Sequence, residues 1–276
     1  MAENGVQSVS RALTLLRLLA QGDGSRLSDL ARAAGLPVST AHRLLTTMEQ
    51  QGFAQFEPAS SAWHVGRDAF SVGMAYGRRL SFVAPALPLL RRLRDATRET
   101  ANLGILDDDH LVTVSQVESR EIRRALSPPG RRVPVFSSAM GKAILATWRD
   151  EDVLALADRA GLPPLTSKSL RTRDAALADI ARTRARGWAL DDEEFNLGMR
   201  CLAAVVWSPQ GEAACAISIS GAAGRLTDDR LGPLGTLVAQ AAVELTALLG
   251  GVAPDAGAAS PDGGLRAPAR ASPLSH

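Results

Sequence analysis

Apolar residues recur at helical spacing in three short segments near the N-terminus. They predict a first helix over residues 6–21, through Val9, Ala12, Leu13, Leu16, Leu19 and Ala20. The glycines and polar residues at 22–25 interrupt this pattern, and residues 27–34 fit a second, shorter helix. Gly35 and Pro37 prevent that helix from continuing. A third helix is predicted from Val38 until Gly52 ends it.

Two short strands are predicted directly after the third helix, over residues 53–56 and 63–65, around a polar turn. The order of helix, helix, turn, helix and hairpin is that of a winged helix-turn-helix domain, which we assign to residues 6–67. A connecting helix is predicted over residues 68–82. The N-terminal third of the chain is therefore expected to form one small unit and a linker.

The rest of the pattern mixes strands and helices. Helices are predicted over residues 84–100, 138–148, 174–186 and 227–250, the last capped by the Thr227 hydroxyl. Strands are predicted over residues 101–106, 111–116, 122–126, 201–207 and 213–220. This arrangement indicates an α+β domain of the sensor type over residues 83–250. Residues 251–276 are rich in Pro, Gly, Ala and Ser and are expected to form a disordered tail.

The third helix has two unlike faces. With Ala41 placed inward, the core face carries Val38, Leu44, Leu45 and Met48. The opposite side carries Ser39, Arg43, Thr46, Thr47 and Gln50, with Thr40 and His42 on its flanks. Hydroxyls, an imidazole and a guanidinium thus lie where a solvated helix usually carries Glu and Lys. We expect this face to enter the major groove of DNA, with Arg43 paired to a guanine. The alternative is an ordinary solvated helix.

The hairpin after the third helix favours the DNA interpretation, because a wing beside a recognition helix is a recurrent DNA-binding arrangement. Trp63 and His64 could touch the minor groove or the backbone, but packing in the small core is the expected role of Trp63. Charge argues the other way. Over residues 1–75 the arginines and the acidic residues are equal in number, whereas DNA-binding domains are commonly basic.

The composition of the chain excludes several classes of protein. We see no apolar run long enough to cross a bilayer and no signal peptide, so a cytoplasmic protein is expected. Two cysteines exclude a disulfide framework, and the four histidines lack metal-ligand spacing. We expect neither a metal nor another cofactor.

Several segments, in this order and spacing, resemble the isocitrate lyase regulator (IclR) family of bacterial transcription factors. They are VQSVSRALTLLRLLA, LARAAGLPVSTAHRLLTTMEQQGF, VPVFSSAMGKAILA, RGWALDDEEFNLGMRCLAAVV and AISISG, and the resemblance covers residues 6–250. It implies a winged helix-turn-helix domain, a linker helix and a GAF-like effector-binding domain. It also implies homodimers or homotetramers on palindromic operator DNA, and a DNA-binding transcriptional regulator, expected to be a repressor, rather than an enzyme.

The resemblance also implies an effector site. Backbone N–H groups of Ala139 and Met140 would bind a carboxylate, and the polar contacts would be Asp191, Cys201, Ser218 and Ser220. The chemistry is coherent, because Ser218 and Ser220 alternate along a strand and a helix N-terminus favours an anion. The apolar wall would consist of Ile122, Ala125, Val133 and Met199. A small carboxylate such as glyoxylate or pyruvate is the expected effector.

Two positions depart from the branch of the family that governs the glyoxylate bypass. Ala125 stands where that branch has a bulky apolar residue, and Met140 stands where it has a small one. A larger effector, such as an aromatic acid from carbon catabolism, is therefore an alternative.

Each site residue also has a structural explanation. Cys201 could be a buried small residue, and Asp191 could lie in a solvated acidic turn. Ser218 and Ser220 could occupy a wet sheet face, and Lys142 should pair with an acidic neighbour.

Two rival functions remain. One is a hydrolase that uses Cys201, His110 and an aspartate, and the other is a winged helix that binds protein rather than DNA.

Overall fold

The computed structural model describes residues 6–77, 80–119 and 128–253. The chain divides into two compact units, Met1–Leu80 and Ser81–His276. The strand predicted over residues 122–126 and almost all of the predicted tail lie outside the described residues.

The first unit contains helices and one hairpin. Its elements are α1 (Gln7–Leu19), α2 (Leu27–Ala33), α3 (Val38–Gln50), β1 (Ala54–Glu57), β2 (Ala62–Val65) and α4 (Arg67–Gly77). The inward faces of the first three helices share one core with Trp63, which is only 4% exposed, so its predicted packing role is confirmed. Val38 was predicted to face inward, which is wrong: it is 51% exposed, because it begins α3 and has no preceding turn over it.

The hairpin is fastened to the helices by backbone contacts. β1 and β2 pair antiparallel with Phe56 opposite Trp63. Ser25, which precedes α2, exchanges two backbone hydrogen bonds with Trp63 at 3.0 and 2.8 Å. Gly66 ends the hairpin where a Cβ would lie 2.2 Å from the Gly52 carbonyl oxygen, so only glycine allows this close approach. The wing is therefore held beside the end of α3.

The second unit is built around one sheet. Its strands are β3 (Thr100–Asp107), β4 (His110–Val117), β5 (Arg132–Pro134), β6 (Ala189–Asp192), β7 (Met199–Trp207) and β8 (Ala213–Ala222). All neighbouring strands are antiparallel, in the order β5-β4-β3-β8-β7-β6. Its helices are α5 (Val83–Thr97), α6 (Ala139–Leu145), α7 (Asp150–Ala160), α8 (Arg173–Arg186) and α9 (Asp228–Leu248), with a 3-10 turn at Val135–Ser137.

The two faces of this sheet differ in chemistry. One face packs large apolar side chains such as Leu103, Ile217 and Ile219 against α5 and α9. The other face lies under α6 and carries small or polar residues, among them Ala203 and Ala216. Because β8 alternates between the two faces, Ser218 and Ser220 fall on the side of α6. Small side chains there leave space between sheet and helix.

Two expectations are corrected by α9. Thr227 makes no side-chain capping bond, and the helix begins at Asp228. By length and composition α9 could cross a membrane, so the expectation that no apolar stretch is long enough is wrong. In the structure its inner side, including Val238 and Leu245, belongs to the core formed with α5 and the sheet.

Candidate functional site

A glycine turn presents α3 to the surface of the first unit. Gly35 has a φ of +63°, in the left-handed region that glycine enters without steric cost. The N–H of Leu36 then donates to the Ala31 carbonyl at 2.9 Å, which closes the end of α2. Pro37 immediately precedes α3 as its N-cap residue, so the second helix cannot continue into the third.

The predicted DNA-binding side chains of α3 lie at the surface. Ser39, His42, Arg43 and Thr47 are exposed, and Thr40 and Thr46 are half-buried. The Thr47 hydroxyl donates to the Arg43 carbonyl at 2.9 Å, which leaves its lone pairs available to a donor. Arg43 forms no ion pair within the described part of the chain. Its guanidinium is therefore available to an external acceptor.

The wing and α3 are joined by side-chain contacts as well. The Glu49 carboxylate accepts from the Phe56 N–H at 2.9 Å. The His42 ring meets Trp63 edge-on, with centroids 6.4 Å apart. These contacts join α3 to both strands of the hairpin, which favours a fixed orientation of the exposed groups.

A cavity of about 50 Å³ lies between α6 and the polar side of the sheet. It brings together all six effector-site residues predicted from the resemblance, together with Val133 and Met199 of the predicted wall. Ile122 and Ala125, the other two wall residues, lie outside the described residues. The remaining lining is Asn102, Leu111, Thr113, Ser137, Ser138, Phe195 and Asn196.

The start of α6 borders this cavity. The Ser138 hydroxyl accepts from the Gly141 N–H at 3.3 Å and so caps the helix. Among the described residues nothing accepts from the N–H groups of Ala139 and Met140. A Cβ on Gly141 would lie 2.3 Å from the Val135 carbonyl oxygen, so this glycine lets α6 approach the preceding turn. The arrangement suits an acceptor with negative charge.

The floor of the cavity is formed by polar side chains from four strands, β6, β7, β8 and β3. Cys201 lies opposite both Ser220 and Asp191. The Asn102 amide nitrogen donates to the hydroxyls of Ser218 and Ser220, each at 3.2 Å. Both hydroxyl protons can therefore point at a ligand. Asn102 was not predicted as a site residue, although its isolated amide within the apolar segment ANLGIL was a usable signal.

Asp191 is not part of a solvated acidic turn. It is 4% exposed, and its Oδ1 accepts from the backbone N–H of Glu194 at 2.7 Å and of Phe195 at 3.4 Å. Burial raises the pKa of Asp191 to about 6, although Lys142 and these two N–H groups favour the charged form. The carboxyl that borders the cavity is thus close to its titration range at neutral pH.

Lys142 is completely buried behind the cavity and pairs with acids, as predicted. Its Nζ lies 2.7 and 2.8 Å from the two carboxylate oxygens of Glu194 and 2.8 Å from Asp179. These two carboxylates hold the pKa of Lys142 above its usual value despite burial. Asp179 also binds Arg182 at 2.9 Å. The lysine therefore has a structural role, and it does not line the cavity.

The geometry opposes a cysteine nucleophile. Burial, with the neighbouring Asp191 charge, raises the pKa of the Cys201 thiol well above its usual value, so the thiol stays protonated. Cys201 is on β7 and His110 is on β4, with β8 and β3 between them. Three strand spacings put them roughly 14 Å apart, too far for proton transfer between them.

Together, a helix-turn-helix with a wing and a second unit that encloses a polar cavity define a ligand-responsive, DNA-binding regulator. Residues 8–58 match the IclR helix-turn-helix domain, and residues 74–247 match the bacterial transcriptional regulator IclR C-terminal domain. The chain belongs to the IclR family of DNA-binding transcriptional regulators.

Individual relatives agree with this assignment. The chain is 41% identical over 254 residues to the transcriptional repressor IclR of Escherichia coli, covering 91% of this chain and 93% of the relative. It is 41% identical over 249 residues to the acetate operon repressor of Salmonella typhimurium, covering 89% and 91%. An IclR homolog of Microbacterium hydrocarbonoxydans, solved with 4-hydroxybenzoate, shares the fold with a TM-score of 0.74 at 20% identity, covering 88% and 99%.

Proposed function

We propose that this regulator represses transcription by binding an operator through the exposed face of α3, and that a small carboxylate in the cavity controls this binding. The accessible Arg43, beside a wing fixed to the same helix, is the observation that carries the DNA-binding part. Ser39 and Thr40 lie near the helix N-terminus, where phosphate oxygens are bound well. His42, Thr46 and Thr47 complete the contact surface.

The DNA interface is tested by selecting bound sites from genomic DNA and then comparing two arginine variants on the best site. Arg43→Ala should lose about 1–3 kcal/mol per half-site and relax the preference at one base pair. Arg173→Ala is the control, because that side chain is exposed on α8, in the second compact unit. Undiminished operator binding by folded Arg43→Ala would exclude Arg43 from the DNA interface. Selection of no site by the wild-type protein would favour the rival function, a winged helix that binds protein.

The effector part is supported by the complementarity of the cavity to a short 2-oxo acid. Its carboxylate would accept from the N–H groups of Ala139 and Met140, and its oxo oxygen from Ser218 and Ser220. Asp191 and Cys201 complete the polar contacts, with Val133 and Met199 as apolar wall. A cavity of about 50 Å³ holds only a few water-sized groups, which favours glyoxylate or pyruvate over 4-hydroxybenzoate.

Calorimetric titration decides between these effectors. Glyoxylate or pyruvate should bind the wild-type protein, and Ser218→Ala should weaken that binding roughly tenfold through loss of one hydrogen bond to a charged or strongly polar ligand. Ser8→Ala, on the exposed side of α1, is the matched control. If only 4-hydroxybenzoate binds, the effector is the larger acid and the proposal of a small one is wrong. If no carboxylate binds, the proposed effector site is refuted.

We further propose a homodimer or homotetramer. Exposed apolar side chains on α4 support it, since Phe70, Val72 and Met74 are 69%, 60% and 45% exposed. Phe70→Glu should shift the sedimenting species toward monomer, whereas Ser71→Glu on the same helix should not. A wild-type protein that sediments as a monomer at every concentration would contradict this proposal.

We also propose that the protein acts in the cytoplasm, where the operator is, and that it catalyses no reaction. Hydrolysis of candidate amides or esters that is lost in Cys201→Ala would contradict the second statement.

A further inference from the structure

One buried hydroxyl at the cavity has no partner. Thr113 is 1% exposed and lies on β4, on the same face as Leu111, and both residues line the cavity. Its Oγ1 makes no hydrogen bond to any residue that the structure describes. Buried hydroxyls are almost always hydrogen-bonded, so an orphan at the wall of a cavity requires an explanation.

The neighbouring strand β3 places no polar side chain opposite this hydroxyl. Thr113 pairs in register with Gly104, which has no side chain. The space above Gly104 is taken by apolar groups, since a Cβ there would meet the Met140 thioether and the Leu111 side chain within about 3.1 Å. A valine of the same shape would fit without loss of any hydrogen bond in the empty protein.

We propose that Thr113 is a specificity-determining residue of the cavity, whose hydroxyl donates a hydrogen bond to an oxygen of the bound acid. This inference rests on the proposed effector function. The oxygen differs from the one that faces Ser218 and Ser220, because β3 separates β4 from β8. Two strand spacings, roughly 10 Å, are too wide for a single ligand atom to contact both sets of hydroxyls. Thr113 therefore selects acids that carry a further oxygen on the carbon next to the carboxylate, such as 2-oxo acids.

The test compares pyruvate binding by calorimetry with the thermal stability of the empty protein. Thr113→Val should bind pyruvate roughly tenfold more weakly, whereas Thr113→Ser should bind like the wild type. The melting temperature of empty Thr113→Val should equal or exceed that of the wild type, because an unpaired hydroxyl is removed. If the hydroxyl had a purely structural role, Thr113→Val would instead lower the melting temperature of the empty protein. Ser115→Ala is the control, since Ser115 lies two residues along β4 and does not line the cavity.

The outcomes separate the two proposals. Wild-type binding of pyruvate with unchanged affinity in Thr113→Val would overturn the role of Thr113 alone. A lower melting temperature for empty Thr113→Val would overturn it as well, by showing that the hydroxyl has a partner within the protein. Failure of the wild type to bind either glyoxylate or pyruvate would overturn the proposed effector class, and the role of Thr113 with it.

Discussion

At the residue scale, the cavity places an acid of raised pKa beside the proposed site for an anion. Asp191 lies near Lys142, Glu194, Asp192 and the Cys201 thiol. Burial raises the pKa of Glu194 as well, to about 7, against the pull of Lys142. Since both carboxyls interact electrostatically with Lys142 and with each other, their titrations are linked. A bound carboxylate adds negative charge and should therefore favour protonation of this pair.

Effector binding is accordingly expected to take up a proton. The apparent affinity for pyruvate should fall as the pH rises above about 6, by up to about tenfold per pH unit. Asp191→Asn keeps an oxygen for the two backbone N–H groups and removes the charge, so it should flatten this dependence and bind pyruvate more tightly at about pH 8. Calorimetry in buffers of different ionisation enthalpy measures the proton uptake. Equal heats in all buffers would contradict the prediction.

The raised pKa of Asp191 also makes the stability of the folded protein depend on pH. A carboxyl whose pKa is higher in the folded than in the unfolded chain favours the folded state most at low pH. For Asp191 that contribution is complete below about pH 4 and is lost as the pH rises through about 6. Wild type and Asp191→Asn should therefore differ in stability more at neutral pH than at about pH 4.

The only two lysines of the chain form a matched pair for measuring buried charge. Lys142→Met would leave Glu194 and Asp179 buried without their cation, which should lower the free energy of unfolding by about 3–5 kcal/mol. Lys168→Met removes a half-exposed partner of Glu193 and should cost about 0–1 kcal/mol. Urea titration of both variants measures the difference, and similar values would contradict the ionised state of the buried cluster.

The polar residues of the cavity show how far sequence reasoning reaches at this scale. Ser218 and Ser220 could be placed on one face because they alternate within a single strand. Asn102 and Thr113 were missed because they join the site only through strand pairing. The pairing of β3 with β4 shifts register between Leu103 and Gly104, and no local pattern in the sequence marks that shift.

At the element scale, the short α6 depends on its glycine. Gly141→Ala would press a Cβ against the Val135 backbone, which cannot rotate away, and so should displace α6. We expect a loss of about 1–3 kcal/mol in the free energy of unfolding, with weaker pyruvate binding. Gly73→Ala is the matched change in α4, where the new methyl group meets nothing, and should gain about 0.5–1 kcal/mol. Equal effects in chemical denaturation would contradict the packing argument.

Length alone did not decide which elements could be predicted, because α7 was missed with eleven residues whereas β1 and β2 were predicted with four residues each. The helices α1, α3, α5, α8 and α9 and the strand pairs β3–β4 and β7–β8 each carry enough residues to set a period. β5 and β6 have three and four residues and exist as strands because β4 and β7 offer them hydrogen bonds. Asp191 is buried because it belongs to β6. Since β6 was not predicted, the burial of this acidic residue could not be predicted either.

At the scale of the whole molecule, control requires that effector and operator affect each other's binding. A ligand with equal affinity for all states of the protein shifts nothing, so pyruvate must bind one state better. Typical couplings change affinity by about 5–150-fold, and thermodynamic linkage makes the factor the same in both directions. If saturating pyruvate weakens operator binding by some factor, saturating operator must weaken pyruvate binding by that factor.

Both directions can be measured on the same preparation, by anisotropy of a labelled operator duplex and by calorimetry of pyruvate. Two variants separate binding from coupling, because their residues belong to different compact units. Arg43→Ala should lose operator affinity and keep pyruvate affinity in the absence of DNA. Ser218→Ala should show the reverse. If each variant behaves in this way but the wild-type factor is about one in both directions, the two sites are independent, and the cavity does not control the operator.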